Sequence, residues 1–193
     1  MNEADARDAA KFSQPGDRPI IVFVHLAHDK DAREWRKARE GGTLVGINDE
    51  TPYGYGRAER MGCRVVFSRS DPESKLGKLV RLTVRAIVGF DLIHGLRQKD
   101  AILRADIIWT HTESQYLAMA SVLSMTGARC KLLGQNVWLI DRWQSLGFVY
   151  RALYRSLIER VDVLTFLSTR NLSLAKALFP NKRSVLLRFG TCR

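Results

Sequence analysis

Apolar positions along this chain follow two patterns. In one they form short, nearly unbroken runs: PIIVFVHLAH from Pro19, CRVVFS from Cys63, ADIIWTH from Ala105, CKLLGQNVWL from Cys130, VDVLTFLS from Val161 and SVLLRFG from Ser184. Such runs predict strands buried on both faces. In the other pattern apolar residues recur every three or four positions: DKDAREWRKARE, SDPESKLGKLVRLTVRAIVGF, LRQKDAILR, ESQYLAMASVLSM, LGFVYRALYRSLIER and TRNLSLAKALF. These predict helices, and the punctuation agrees. Asp29 is a cap for the first and Gly41-Gly42 its stop, Thr126-Gly127 ends the fourth, Ser168 can cap the last and Pro180 follows it. TLVGIN at 43–48 is a further short strand candidate, DETPYGYG reads as a loop and RAERMG as a short helix.

Strands that alternate with helices imply right-handed crossovers and a parallel sheet. The expected fold is an open, mostly parallel α/β sheet of about six or seven strands with helices on both faces. Ligands of such sheets sit beyond the carboxyl ends of the strands. The loops there begin at His28, Thr110-His111, Gln135-Asn136, Ser168 and Gly190.

Composition narrows the function classes. The net charge of +11 is uneven: residues 1–50 carry −2 and residues 51–193 carry +13. That surplus suits an anionic partner, or simply a solvated surface. No run is long enough to span a membrane, because Arg81, Arg85 and Arg104 interrupt the longest ones. The first 18 residues are polar and mixed in charge, unlike an export signal, and read as a loose tail on a cytoplasmic protein. Cys63, Cys130 and Cys192 are scattered, which fits a reducing compartment and offers no zinc motif. The first strand-to-helix turn, HLAHDKDAR, lacks the glycine cradle for a dinucleotide, and no phosphate-binding loop, zincin helix or hydrolase elbow occurs. No metal and no cofactor is expected, and no nucleic-acid signature appears.

Position after parallel strands selects the candidate binding residues. His28 and His111 end strands, as do Gln135 and Asn136, while Tyr53 and Tyr55 lie on a glycine loop. Glu113 follows His111 and either binds or caps the next helix. His25 and His94 read as structural, and Trp138 as a core residue. A second set is basic: Lys75, Lys78, Arg81 and Arg85 share one helical face, with Leu76, Leu79, Val80 and Ile87 on the other side. Arg151 and Arg155 form a shorter stripe. Both stripes fit an anionic membrane surface or an ordinary solvated face.

The segments ADIIWTHTESQYLAMASVL and LYRSLIERVDVLTFLSTRNLSLAKALFPNKRSVLLRFGT resemble corresponding segments of family 4 glycosyltransferases. The resemblance spans residues 19–191 in element order and 105–191 in wording. It implies the acceptor-side, Rossmann-like half of a two-domain GT-B enzyme. Such an enzyme moves a sugar from a nucleotide-sugar to a hydroxyl, with retention, on a carbohydrate or lipid-linked acceptor. By the same resemblance the strand ending at Gly190 closes this half, and the donor-gripping domain is absent, so the expectation is a chain inactive alone. A split-enzyme or stand-alone recruiting subunit and a non-enzymatic basic α/β module remain as alternatives.

Overall fold

The computed structural model describes residues 18–44 and 49–187. Six strands form one all-parallel sheet, β1 (Ile21–His25), β2 (Arg64–Phe67), β3 (Ile107–Thr110), β4 (Lys131–Asn136), β5 (Val163–Phe166) and β6 (Ser184–Leu186). Their spatial order is β2-β1-β3-β4-β5-β6. The helices are α1 (Ala32–Glu40), α2 (Lys75–Val88), α3 (Leu92–Arg97), α4 (Lys99–Arg104), α5 (Glu113–Thr126), α6 (Phe148–Ile158) and α7 (Thr169–Leu178), with short 3-10 turns over Pro52–Met61 and Trp143–Ser145. This is the expected open α/β sheet, and it is Rossmann-like. The last four residues of the 43–48 strand candidate and the strand end at Gly190 lie outside the described residues, as does the expected tail except for Arg18.

Side chains alternate across the sheet and feed two cores. Phe23 of β1 joins the larger one, with Ile108, Leu132, Leu164 and Phe166, while Val22 and Val24 join a smaller one with Tyr55. The larger core is built around α5. Eight of its residues, Gln115 to Ala120 with Val122 and Leu123, are buried, so this helix is enclosed rather than merely laid on the sheet.

Register is fixed at the amino edge by a repeated device. Asp106 accepts a hydrogen bond from Ile21 N at 2.9 Å and donates its own N–H to Ile21 O. Asp162 does the same with Leu132 N and O. Arg18 pairs with the first carboxylate and Lys131 with the second.

Local differences from the sequence reading have simple causes. The cap of α1 is Asp31, which accepts from Arg33 N and Glu34 N; Asp29 sits two residues earlier with φ 63. The cap of α2 is Ser74. The helix expected over LRQKDAILR divides at Gln98, whose amide exchanges two hydrogen bonds with the Arg69 backbone. The loop through Tyr53 and Gly54 is wound into 3-10 turns, with both residues at positive φ. Ser168 caps α7 as expected. At the end of α2, Gly89 takes φ 85, and a Cβ there would collide with Tyr154 Oη, which donates to Val88 O. Tyr150 Oη donates to Ile87 O beside it, so α6 closes the carbonyl end of α2.

Candidate functional site

Three groups of side chains collect around the carboxyl ends of the strands. The first joins β3 to the 3-10 segment. Tyr53 stacks on His111 with centroids 3.7 Å apart and ring planes 19° apart. The Tyr55 hydroxyl lies 3.2 Å from His111 Nδ1, and the Tyr55 ring meets Trp109 edge-on at 4.8 Å. Burial lowers the pKa of His111 below its ordinary value, so the ring is neutral near pH 7. Burial pushes Tyr55 up, which keeps its phenol protonated. The contact serves either tautomer of the neutral ring, the phenol donating to a bare Nδ1 or accepting from Nδ1–H. Tyr53 remains 50% exposed, with the Trp35 ring tilted against it at 5.7 Å. Three residues singled out from sequence are thus brought together.

The second group surrounds the end of β1. His25, His28 and His94 stand close, with ring centroids 5.0 Å apart for His25 and His94 and 5.2 Å for His28 and His94. His94 Nε2 donates to Leu26 O, which fixes its tautomer. His25 Nδ1 is buried without a hydrogen-bond partner, and neither nitrogen of His28 makes a hydrogen bond. His28 Nδ1 nonetheless lies 3.0 Å from Asp29 Oδ1, and its Nε2 3.8 Å from Glu73 Oε2.

Behind these rings Arg81, 5% exposed, binds Glu73 through Nε at 2.9 Å and Asp91 through Nη1 at 2.6 Å. Arg97 closes on the same Glu73 carboxylate. Burial alone would raise the pKa of Glu73, but Arg97 and Arg81 outweigh it and hold the carboxylate below its usual range. Arg81 therefore does not belong to an exposed basic stripe. The turn bearing Glu73 and the start of α3 fold over it and consume its charge.

The third group lines the end of β4. Asn136, expected at the cleft, is 2% exposed, and its Nδ2 donates to the buried Tyr116 hydroxyl at 2.9 Å. Gln135 is buried beside it. Glu113 does not cap its own helix. It accepts from Val137 N and Trp138 N, so it pins the chain leaving β4. Gln115 Oε1 takes the N–H groups of His111 and Thr112 instead. Trp138, expected in the core, is 66% exposed. Of the basic residues, Lys75, Lys78 and Arg85 are exposed, and Arg151 is half-buried. Arg155 packs over Trp143 and Phe179 and donates to Leu178 O, so it braces α6 against α7 rather than offering a free cation.

His25 and His94, read from sequence as structural, are both buried. Alternation along β1 puts His25 on the face of Phe23, towards α5, and that parity was a usable signal.

Burial is the main reason that the pKa of His25 lies well below its ordinary value and that of His94 is also lowered. Both are neutral when folded and titrate normally when unfolded, so the stability they carry is complete above about pH 6.5 and is lost as pH falls below it. The unfolding free energy from urea titration is expected to be flat from pH 8 to about pH 6.5 and then to fall with a slope of up to about 1.4 kcal/mol per pH unit for each histidine. A His25→Leu variant flattens that slope. The contribution of Glu73 lies in a separate window, below about pH 4.5. An unfolding free energy constant from pH 8 to pH 5 would mean that both rings are solvated.

Comparison of the chain with protein-family models and with curated proteins returns no match.

Proposed function

We propose that this domain binds the acceptor for a retaining sugar transfer from a nucleotide-sugar to a hydroxyl, in polysaccharide or glycolipid assembly. The observation that carries the reading is the Tyr53–His111 stack with Tyr55 on Nδ1, set beyond the carboxyl end of β3. A sugar offers an apolar C–H face and a ring of hydroxyls. The exposed part of the Tyr53 ring suits the first, and the neutral His111 ring suits the second. The chemistry such a transfer needs, orientation of the acceptor and exclusion of water, is what one wall of a cleft supplies. The leaving diphosphate requires positive groups from a second wall.

A further observation favours an acceptor presented at a bilayer. Helices α2 and α6 meet through Tyr150 and Ile87, and both expose apolar side chains. Leu76, Leu79, Val80 and Ile87 on α2, and Phe148 and Val149 on α6, are open to solvent beside Lys75, Lys78 and Arg151. Exposed apolar residues flanked by cations fit an anionic lipid surface. No helix among the described residues is long and apolar enough to cross a membrane, so association would be peripheral.

Saturation-transfer NMR with a panel of neutral and acidic disaccharides tests the sugar site. We expect millimolar or tighter binding by part of the panel, at least a tenfold loss in Tyr53→Ala, and a similar loss in His111→Ala with little change in melting temperature. Uniform absence of binding, or equal losses of binding and stability in His111→Ala, would overturn it.

A further inference from the structure

Two cavities adjoin the first turn of α5, and Arg85 and Ser114 line both. The larger, about 480 Å³, lies between the end of α2, the chain leaving β4, and α6. Its walls are Trp138, Leu139, Leu146, Tyr150 and Tyr154, with Arg142 across from the end of α2. The smaller, about 150 Å³, is polar and is lined by His25, His28, His94 and Arg81. The two share Arg85 and Ser114, so an apolar cavity and a polar one, the latter also lined by Asp29 and Asp91, adjoin at a cation; we treat them as one groove.

The cations are unequal. Arg81 is saturated by Glu73 and Asp91. Arg85, one turn further along α2, has no counter-ion among the described residues, and neither has Arg142. The carboxylates near the groove are largely committed. Glu113 is held by the Val137 and Trp138 N–H groups, Asp91 by Arg81 and His94 N, and Asp29 stands exposed beside His28. At the polar end His25 Nδ1 is buried without a hydrogen-bond partner, and the His28 nitrogens make no hydrogen bond either, although carboxylate oxygens of Asp29 and Glu73 stand 3.0 and 3.8 Å from them. Protein interiors seldom leave such atoms unpaired, and ligand hydroxyls would satisfy them.

We infer that this groove binds an anionic phospholipid, its phosphate at Arg85 and Arg142, its polar head at the histidines, and its apolar chain against Trp138, Leu146 and Tyr150. An arginine without a counter-ion suits phosphate through its planar fork. A cavity of this size lies within the roughly 300–1,000 Å³ typical of small-molecule sites. The open end of the groove adjoins the apolar surface of α2 and α6, so a lipid held there keeps the rest of its chains in the bilayer. The inference deepens the bilayer reading above and does not depend on the sugar site.

Calorimetric titration of the full chain with short-chain lipids, kept monomeric below their micelle concentrations, tests it without a membrane. The probes are dihexanoyl phosphatidylglycerol, dihexanoyl phosphatidylcholine and inorganic phosphate. We expect phosphatidylglycerol to bind at least tenfold more tightly than either of the others. Arg85→Gln and Arg142→Gln should each weaken it about tenfold, while Lys176→Gln, an exposed lysine on α7, leaves it unchanged. Equal affinity for phosphatidylglycerol and phosphate would reduce the groove to an anion site, and equal affinity for the two lipids would reduce it to an apolar patch. Either result overturns the proposal, as does an unchanged affinity in Arg85→Gln. Tyr53→Ala, measured with the same lipid, is expected to have no effect, which separates failure of this groove from failure of the sugar site.

Discussion

Replacing Arg81 with leucine is expected to cost about 3–5 kcal/mol of folding stability, the largest loss from any single exposed-looking basic residue in the sequence. The guanidinium is buried and holds two carboxylates, Glu73 through Nε and Asp91 through Nη1. Removing it strips Asp91 of its ion pair and leaves Glu73 with Arg97 and with His28 Nε2 at 3.8 Å. Desolvated charge without a partner is far more costly than an ion pair is favourable. The damage also spreads along the chain, since Asp91 caps α3 through His94 N. Arg81→Lys keeps the charge but cannot serve both carboxylates from one planar fork, so an intermediate loss is expected. Urea unfolding near pH 7 decides the matter. A loss below about 1 kcal/mol, the range of exposed pairs, would mean that water reaches the network.

The second large effect is expected at Tyr116. Its ring is fully buried in the larger core, and its hydroxyl accepts from Asn136 Nδ2. Truncation to alanine should cost about 3–5 kcal/mol through lost contacts and the cavity left behind. It also strands Asn136, whose Oδ1 already lacks a partner. Gly134 of β4 gives this ring its space, because a Cβ there would stand 2.8 Å from Tyr116 Cδ1. Gly134→Ala is therefore destabilising in the parent, by about 1–3 kcal/mol. In the Tyr116→Ala background the two ring contacts are gone and only the 3.2 Å approach to the residue 116 Cβ remains, so the same change costs much less. A double-mutant cycle that returned simple additivity would show that ring and glycine do not meet.

The sheet was legible in the sequence because burial on both faces leaves unbroken apolar runs, as in IVFVH of β1. The sites were legible only in part. His111, Tyr53 and Tyr55 emerged because topology alone places strand ends and their loops. Arg81 was misplaced for a different reason. Helical periodicity shows that Lys75, Lys78, Arg81 and Arg85 share a face, but not which segment covers it, and the cover comes from Glu73 outside the helix and Asp91 after it. Trp138 was assigned to the core by extending the apolar run of β4 past Asn136, where the strand ends and alternation no longer applies. Asn136 looked like a cleft residue because it ends a strand, yet its partner Tyr116 lies twenty positions away on α5. Such pairings depend on packing between elements, which no local pattern encodes.

The paired aspartates at the amino edge have a consequence for variation. Asp106 and Asp162 each lock a neighbouring strand, through one bond to the carboxylate and one between backbones, before that strand reaches the opposite edge. Alignment is thus set at one margin, independent of what happens at the other. The loops bearing His28, Tyr53, His111 and Trp138 can therefore lengthen, shorten or change residue without any strand slipping. Descendants of this chain could acquire new ligands by rewriting one margin alone, while an exchange at either aspartate would disturb every loop above it at once.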